Sequence, residues 1–238
     1  MSNVHTIQLS GGNANAIDEA LLDTLSEGLR SALDTGKTAV VLTGSDRFFS
    51  AGLNLKSLPE SREGMASFVE RFEEANIEML RFPLPVVAAV NGHAIAGGCV
   101  LACATDLRIG ASGSHKLGVS EVTLGIAFPA SAFEIMRHTL TPAWTPEVLL
   151  GGKLLSPEDA LSAGILHHVV APEELLTIAT TKAEELGSKP RHAFHHSKLA
   201  LRAPMFERIE KTQEAAREDF LEAWFSPEVV ERRKAMLA

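Results

Sequence analysis

The run Pro85-Val86-Val87-Ala88-Ala89-Val90-Asn91-Gly92-His93-Ala94-Ile95-Ala96-Gly97-Gly98-Cys99-Val100-Leu101-Ala102-Cys103-Ala104-Thr105 contains no Lys, Arg, Asp or Glu, and neither do Phe82, Pro83 and Leu84 before it. A membrane helix needs about 20 such residues. This run has the wrong interior for one, because Pro83 and Pro85 stand at its start, Asn91-Gly92-His93 breaks it and Gly97-Gly98 comes after the break. The pattern predicts a buried strand over 86–90, a turn, and a buried helix over 97–105 with a glycine-rich first turn.

Reading outward, Asp106–Gly110 reads as a further short strand, and Thr38–Thr43, β-branched and bounded by Gly36 and Gly44, as a strand buried on both faces. Val4–Leu9 alternates weakly into a turn at Gly11-Gly12-Asn13. A helix follows, with Asn15 as the expected cap and Asp18 three residues on. Its apolar stripe is Ile17, Leu21, Leu25 and Leu29. Gly44–Pro59 reads as a loop and Ser61–Arg81 as an amphipathic helix stopped by Pro83. Beyond Pro129 the expected helices are 130–140, 146–150 and 156–163, the last with Ser156 as cap and Pro157 in its first turn. An apolar run at 165–170 and an almost wholly helical tail from Pro172 complete the chain. Strand–helix–strand alternation with apolar strands implies an α/β fold with covered sheet faces.

The 238 residues suffice for one large domain or two small ones, and an apolar content of 45% suffices for a core. Glycine and proline, 18 and 11, are near average usage, which excludes collagen-like and broadly disordered chains. A formal charge of −8 argues against binding a phosphate backbone, so nucleic acid is not an expected partner. Two cysteines, Cys99 and Cys103, make neither a disulfide framework nor a zinc site, and no metal is expected. The opening residues lack a basic region and an apolar run, so no secretory signal is visible and a cytoplasmic, non-membrane protein is expected.

Familiar catalytic motifs narrowly miss. Gly92–Cys99 has phosphate-loop glycines without the lysine and hydroxyl. Gly118-Val119-Ser120-Glu121-Val122 ends in valine where a nucleophile elbow needs glycine. His192, His195 and His196 have no carboxylate or cysteine at ligand spacing and read as solvated. Two glycine-bearing places remain, Ser50-Ala51-Gly52-Leu53 and Ala96-Gly97-Gly98-Cys99. Either they permit close packing, or they leave main-chain N–H groups bare where negative charge could develop.

The segments Phe49-Ser50-Ala51-Gly52-Leu53-Asn54-Leu55 and Pro85–Cys99 resemble the two signature loops of the enoyl-CoA hydratase/isomerase (crotonase) superfamily. The likeness continues through Asp106-Leu107-Arg108, Gly125-Ile126 with Pro129, and 156–170. The resemblance implies an α/β, crotonase-like spiral of ββα units over residues 1–180 and a C-terminal α-helical trimerisation region over 181–238. The assembly would be a homotrimer or a dimer of trimers. It implies an acyl-CoA thioester as substrate, with no separate cofactor. The thioester oxygen would sit in an oxyanion hole made by the Leu53 and Gly97 amides, and Ala51, Asn54, Leu55, Lys56 and Gly98 would touch substrate. Such donors lower the barrier to an enolate by about 2.7–4 kcal/mol each.

The family places acid/base carboxylates at two positions, which here are Val100 and Glu121. Only Glu121 can move a proton. Hydratases of the family use two glutamates, whereas a shift of the double bond from C3 to C2 can run on one. The pattern therefore resembles Δ3,Δ2-enoyl-CoA isomerases, which belong to fatty acid metabolism. Val119, Val122 and Leu124 around Glu121 are expected to raise its pKa towards neutrality. A hydratase, an acyl-CoA hydrolase, a decarboxylase variant and a non-catalytic acyl-CoA-binding or scaffolding subunit are the alternatives. Asn54 stands where the family more often has Asp, and His93 reads as a structural turn residue. Lys56, Lys198 and Arg202 could meet coenzyme A phosphates, though solvated surface is the simpler expectation for each.

Overall fold

A computed structural model describes residues 3–10 and 12–237. Strand β1 (Val4–Gln8) and helix α1 (Glu19–Asp34) lead into three ββα units. These are β2 (Ala39–Thr43), β3 (Phe48–Ser50) and α2 (Arg62–Arg81); β4 (Val86–Val90), β5 (His93–Ile95) and α3 (Gly97–Cys103); β6 (Leu107–Ala111), β7 (Leu117–Gly118) and α4 (Glu121–Leu124). Helices α5 (Ala130–Thr139), α6 (Thr145–Leu149) and α7 (Pro157–Ala163), strand β8 (His168–Val170), and helices α8 (Leu175–Gly187), α9 (Arg191–Trp224) and α10 (Pro227–Leu237) follow. The first strands of the units join a parallel sheet ordered β1-β2-β4-β6-β8, and the second strands form a parallel sheet ordered β3-β5-β7. This is the expected α/β spiral, with a helical C-terminal region.

The uninterrupted apolar strands follow from burial on two sides. Val40, Leu42, Val86, Ala88 and Val90 face the main core, while Ala39, Val41, Val87 and Ala89 face Leu175, Ala179 and Ala183 of α8. Alternate side chains point to opposite faces, so a strand covered on both must be apolar at every position. The 180/181 division falls inside α8, a helix that packs on the sheet along its length. Among the described residues no helix is long and apolar enough to cross a membrane.

Several expectations are corrected. Asn15 does not cap α1; Asp18 does, accepting from the Leu21 amide at 3.1 Å. Asn15 is buried instead, donating to the Phe48 carbonyl at 2.8 Å and accepting from the Ser45 hydroxyl at 2.9 Å, and so pins the first signature segment. The stretch 44–59 is not all loop, because it holds β3, and the Asn91-Gly92-His93 turn runs into β5. Two- and three-residue strands carry no period for sequence to display. His93 is structural as expected, its Nδ1 accepting from the Lys116 amide at 3.1 Å. Lys198 and Arg202 are not solvated. They are 6% and 7% exposed and clasp the two oxygens of Asp106, Lys198 Nζ at 2.9 Å and Arg202 Nη2 at 3.0 Å.

Candidate active site

The first signature segment turns at Gly52, whose φ of 87° favours glycine. A side chain there would press on Ala96 Cβ at 2.9 Å and the Ile95 carbonyl at 3.0 Å. Gly98 answers from the second segment, since a Cβ on it would collide with the Ser50 carbonyl. The two glycines thus let the two segments touch main chain to main chain. Packing and bare amides, the two readings left open by sequence, both hold here.

Ile17 bridges to Leu53 in parallel fashion, its N–H donating to the Gly52 carbonyl at 2.7 Å and its carbonyl accepting from the Asn54 amide at 2.8 Å. In that pattern the amide of Leu53 points away from Ile17. Gly97 opens α3, so its amide has no acceptor within the helix. Neither amide has an acceptor among the described residues. Ala96, just before, holds φ 52° and ψ −129°, a conformation that costs a non-glycine residue about 1–3 kcal/mol. Its amide donates to the Gly118 carbonyl at 2.9 Å, tying the third unit to the second.

That third unit delivers Glu121, the first residue of α4. Its Oε2 is buried and has no hydrogen-bond partner among the described residues. Burial pushes its pKa from the usual 4.5 up to about 7, against the pull of main-chain hydrogen bonds at Glu121 and Ser120. Leu53, Ala96, Gly97 and Glu121 all line one cavity of about 650 Å³. Ala51, Leu55, Phe68, Val69, Phe72 and Leu124 give it an apolar wall, and Glu121 is the one acid on it among the described residues. Val122, expected beside Glu121, turns towards solvent.

The remaining residues singled out from sequence lie off the cavity wall. Asn54 donates to Asp18 Oδ2 at 3.1 Å, Lys56 is exposed, Gly98 packs on Ser50, and Val100 is fully buried in the core. Sequence reasoning missed the opposite wall. Phe220 and Trp224 of α9, stacked with centroids 5.5 Å apart, and Arg232 of α10 close the cavity. Arg232 Nη1 donates to the Thr123 carbonyl at 2.6 Å, which fastens α10 to the helix carrying Glu121. An aromatic pair four apart in a highly charged helix was the available signal.

Residues 1–238 match the Enoyl-CoA hydratase/isomerase family as a whole. The chain is 32% identical over 182 residues to a carnitinyl-CoA dehydratase of Salmonella paratyphi A, covering 76% of this chain and 69% of that one. It is 31% identical over 176 residues to an (E)-benzylidenesuccinyl-CoA hydratase of Thauera aromatica, covering 73% and 68%. Human mitochondrial Δ3-Δ2-enoyl-CoA isomerase superposes with a TM-score of 0.91 at 25% identity, covering 99% of this chain and 93% of that one.

Proposed function

This chain belongs to the enoyl-CoA hydratase/isomerase family, and on that footing we propose that it converts 3-enoyl-CoA to 2-enoyl-CoA. The observation that carries the reading is Glu121, the one carboxylate among the described residues on a largely apolar cavity wall, its carboxyl desolvated and its pKa raised to about 7. The Leu53 and Gly97 amides hold the thioester oxygen while Glu121, as carboxylate, takes a proton from C2. The electron pair moves into a dienolate whose charge rests on that oxygen. The protonated Glu121 then returns the proton at C4, the C2–C3 double bond forms and the thioester carbonyl is restored. Atoms balance without water, and no oxidant or reductant is consumed, so no cofactor beyond the coenzyme A of the substrate is called for. A carboxyl group whose pKa lies near the working pH serves both halves of such a shuttle.

Water addition is the second reading, favoured by the names of the hydratase and dehydratase relatives. Val100, at the position of the other family glutamate, counts against it. A homotrimer or dimer of trimers is carried over from the family likeness as part of the proposal.

The test is a panel of 3-enoyl- and 2-enoyl-CoA thioesters assayed in isotopically labelled water, with Glu121→Gln beside the parent protein. Bond migration without incorporation of labelled oxygen, reduced about 10²–10⁴-fold in the variant with binding retained, is the expected result. Labelled hydroxyacyl product would favour the hydratase. Binding without turnover across the panel would favour a non-catalytic subunit.

A further inference from the structure

A second cavity of about 320 Å³, lined by residues of β6, α5 and α9 among others, carries charges that do not balance. Arg108 and Arg202 line it and Lys198 lies just behind, against one carboxylate, Asp106. Asp106 is fully occupied: Oδ1 meets Arg202, and Oδ2 meets Lys198 and accepts from the Val86 amide at 2.8 Å. Arg108, buried, has no carboxylate within ion-pair distance among the described residues. It donates only to neutral carbonyls, Nε to Ile165 at 2.6 Å, Nη1 to Thr105 at 3.2 Å and Nη2 to Gly164 at 3.4 Å. The nearby Glu134 is paired outward with Arg137 and Arg208.

Beside this excess of positive charge lies a hydrogen-bond conflict. His167 Nδ1 accepts the Arg108 main-chain N–H at 3.0 Å. A neutral imidazole carries one proton, so here it sits on Nε2. His167 Nε2 is 3.4 Å from Arg108 Nη2, a nitrogen that can only donate. Two donors therefore converge with no acceptor between them. An oxygen bearing negative charge would accept from both and offset the buried guanidinium, whereas a water would meet only the first need.

We propose that this second cavity binds a small oxyanion, a phosphate or a carboxylate, between Arg108 Nη2 and His167 Nε2, with Arg202 as the second cation. Entry is by the rim, where His167 and Leu201 reach solvent, Leu201 with 68% exposure. The titratable and charged groups around the site are Cys99 and Cys103 of α3, Asp106 and Arg108 at β6, Glu134 and His138 of α5, His167 and His168 at β8, and Lys198, Arg202 and Arg208 of α9. Desolvation first, then Arg108 and His168 at His167 and Arg202, Arg208 and Arg108 at His138, hold both imidazoles below the usual histidine value. A bound anion stabilises the imidazolium, so anion binding draws the His167 titration upward.

Thermal unfolding of the intact protein in sodium phosphate or sodium acetate, each against sodium chloride of equal ionic strength, tests the site. At about 100 times Kd, one of the two oxyanions is expected to raise Tm by about 5 °C or more over chloride. Which anion does so assigns the class. His167→Ala, at the rim, should unfold cooperatively and lose that increment. General salting-out by phosphate and any binding at the catalytic cavity act on both proteins alike. In NMR the His167 ring should titrate at higher pH when the effective anion is present. Neither anion exceeding chloride, an increment unchanged in His167→Ala, or a His167 titration that ignores the anion would each overturn the proposal.

Discussion

Glu121 and Arg108 are both ionisable side chains drawn out of water onto cavity walls, and the protein treats them oppositely. Glu121 is left with one oxygen bare, and desolvation lifts its pKa to about 7, so that it sheds or keeps its charge near neutral pH. Arg108 is wrapped by three carbonyls, and although burial lowers its pKa, a guanidinium stays protonated. A carboxylic acid escapes the cost of a buried charge by taking a proton; an arginine has no such exit and needs acceptors. The bare acid can do proton chemistry, while the wrapped cation fastens strand to helix.

That contrast can be broken most forcefully at Asp106. Asp106→Asn strips Lys198 and Arg202 of their counter-charge and is expected to cost about 3–5 kcal/mol in urea unfolding. An unchanged midpoint would mean that carbonyls alone hold the cations. Glu121→Gln should behave in the opposite sense. Because the folded-state pKa of Glu121 lies above its unfolded value, the folded parent is penalised as pH rises from about 4.5 to 7, and the penalty is complete above 7. The stability of the variant relative to the parent should therefore grow by about 3 kcal/mol across that interval. A pH-independent difference would place the carboxyl in water.

Turnover gives a third measure. With Glu121 as the base, kcat/KM should climb about tenfold per pH unit and level off near pH 7, and a plateau reached already at pH 5 would point to an ordinary surface acid. The smallest effect belongs to Ala96→Gly. Relief of the positive φ, less the entropy cost of glycine, should leave the protein more stable by about 1 kcal/mol. Loss of stability would show instead that Ala96 Cβ, close against Gly52, holds the two segments in register.

The sheet and its helices were legible because short apolar runs bounded by proline or glycine, and leucines four apart, survive translation into any fold that buries them. Val86–Val90 and the stripe of α1 are of this kind. The two glycine segments and Glu121 were legible by family likeness, whereas spacing alone left packing and catalysis undivided. What stayed hidden was long-range. Nothing local in Lys198 or Arg202 announces Asp106, and nothing in Phe220 or Trp224 announces a cavity built by distant units. Asn15 was misread because a residue suited to capping is equally suited to stitching two loops together.

The wall completed by α9 and α10 also orders events in time. Synthesis delivers Glu121 well before Trp224 and Arg232, so the cavity around it cannot be fully walled until the later helices emerge. Burial is what raises its proton affinity, so the share of that burial supplied by α9 and α10 comes last. The cavity that holds the buried acid is therefore completed at the close of chain synthesis rather than when the acid itself first emerges.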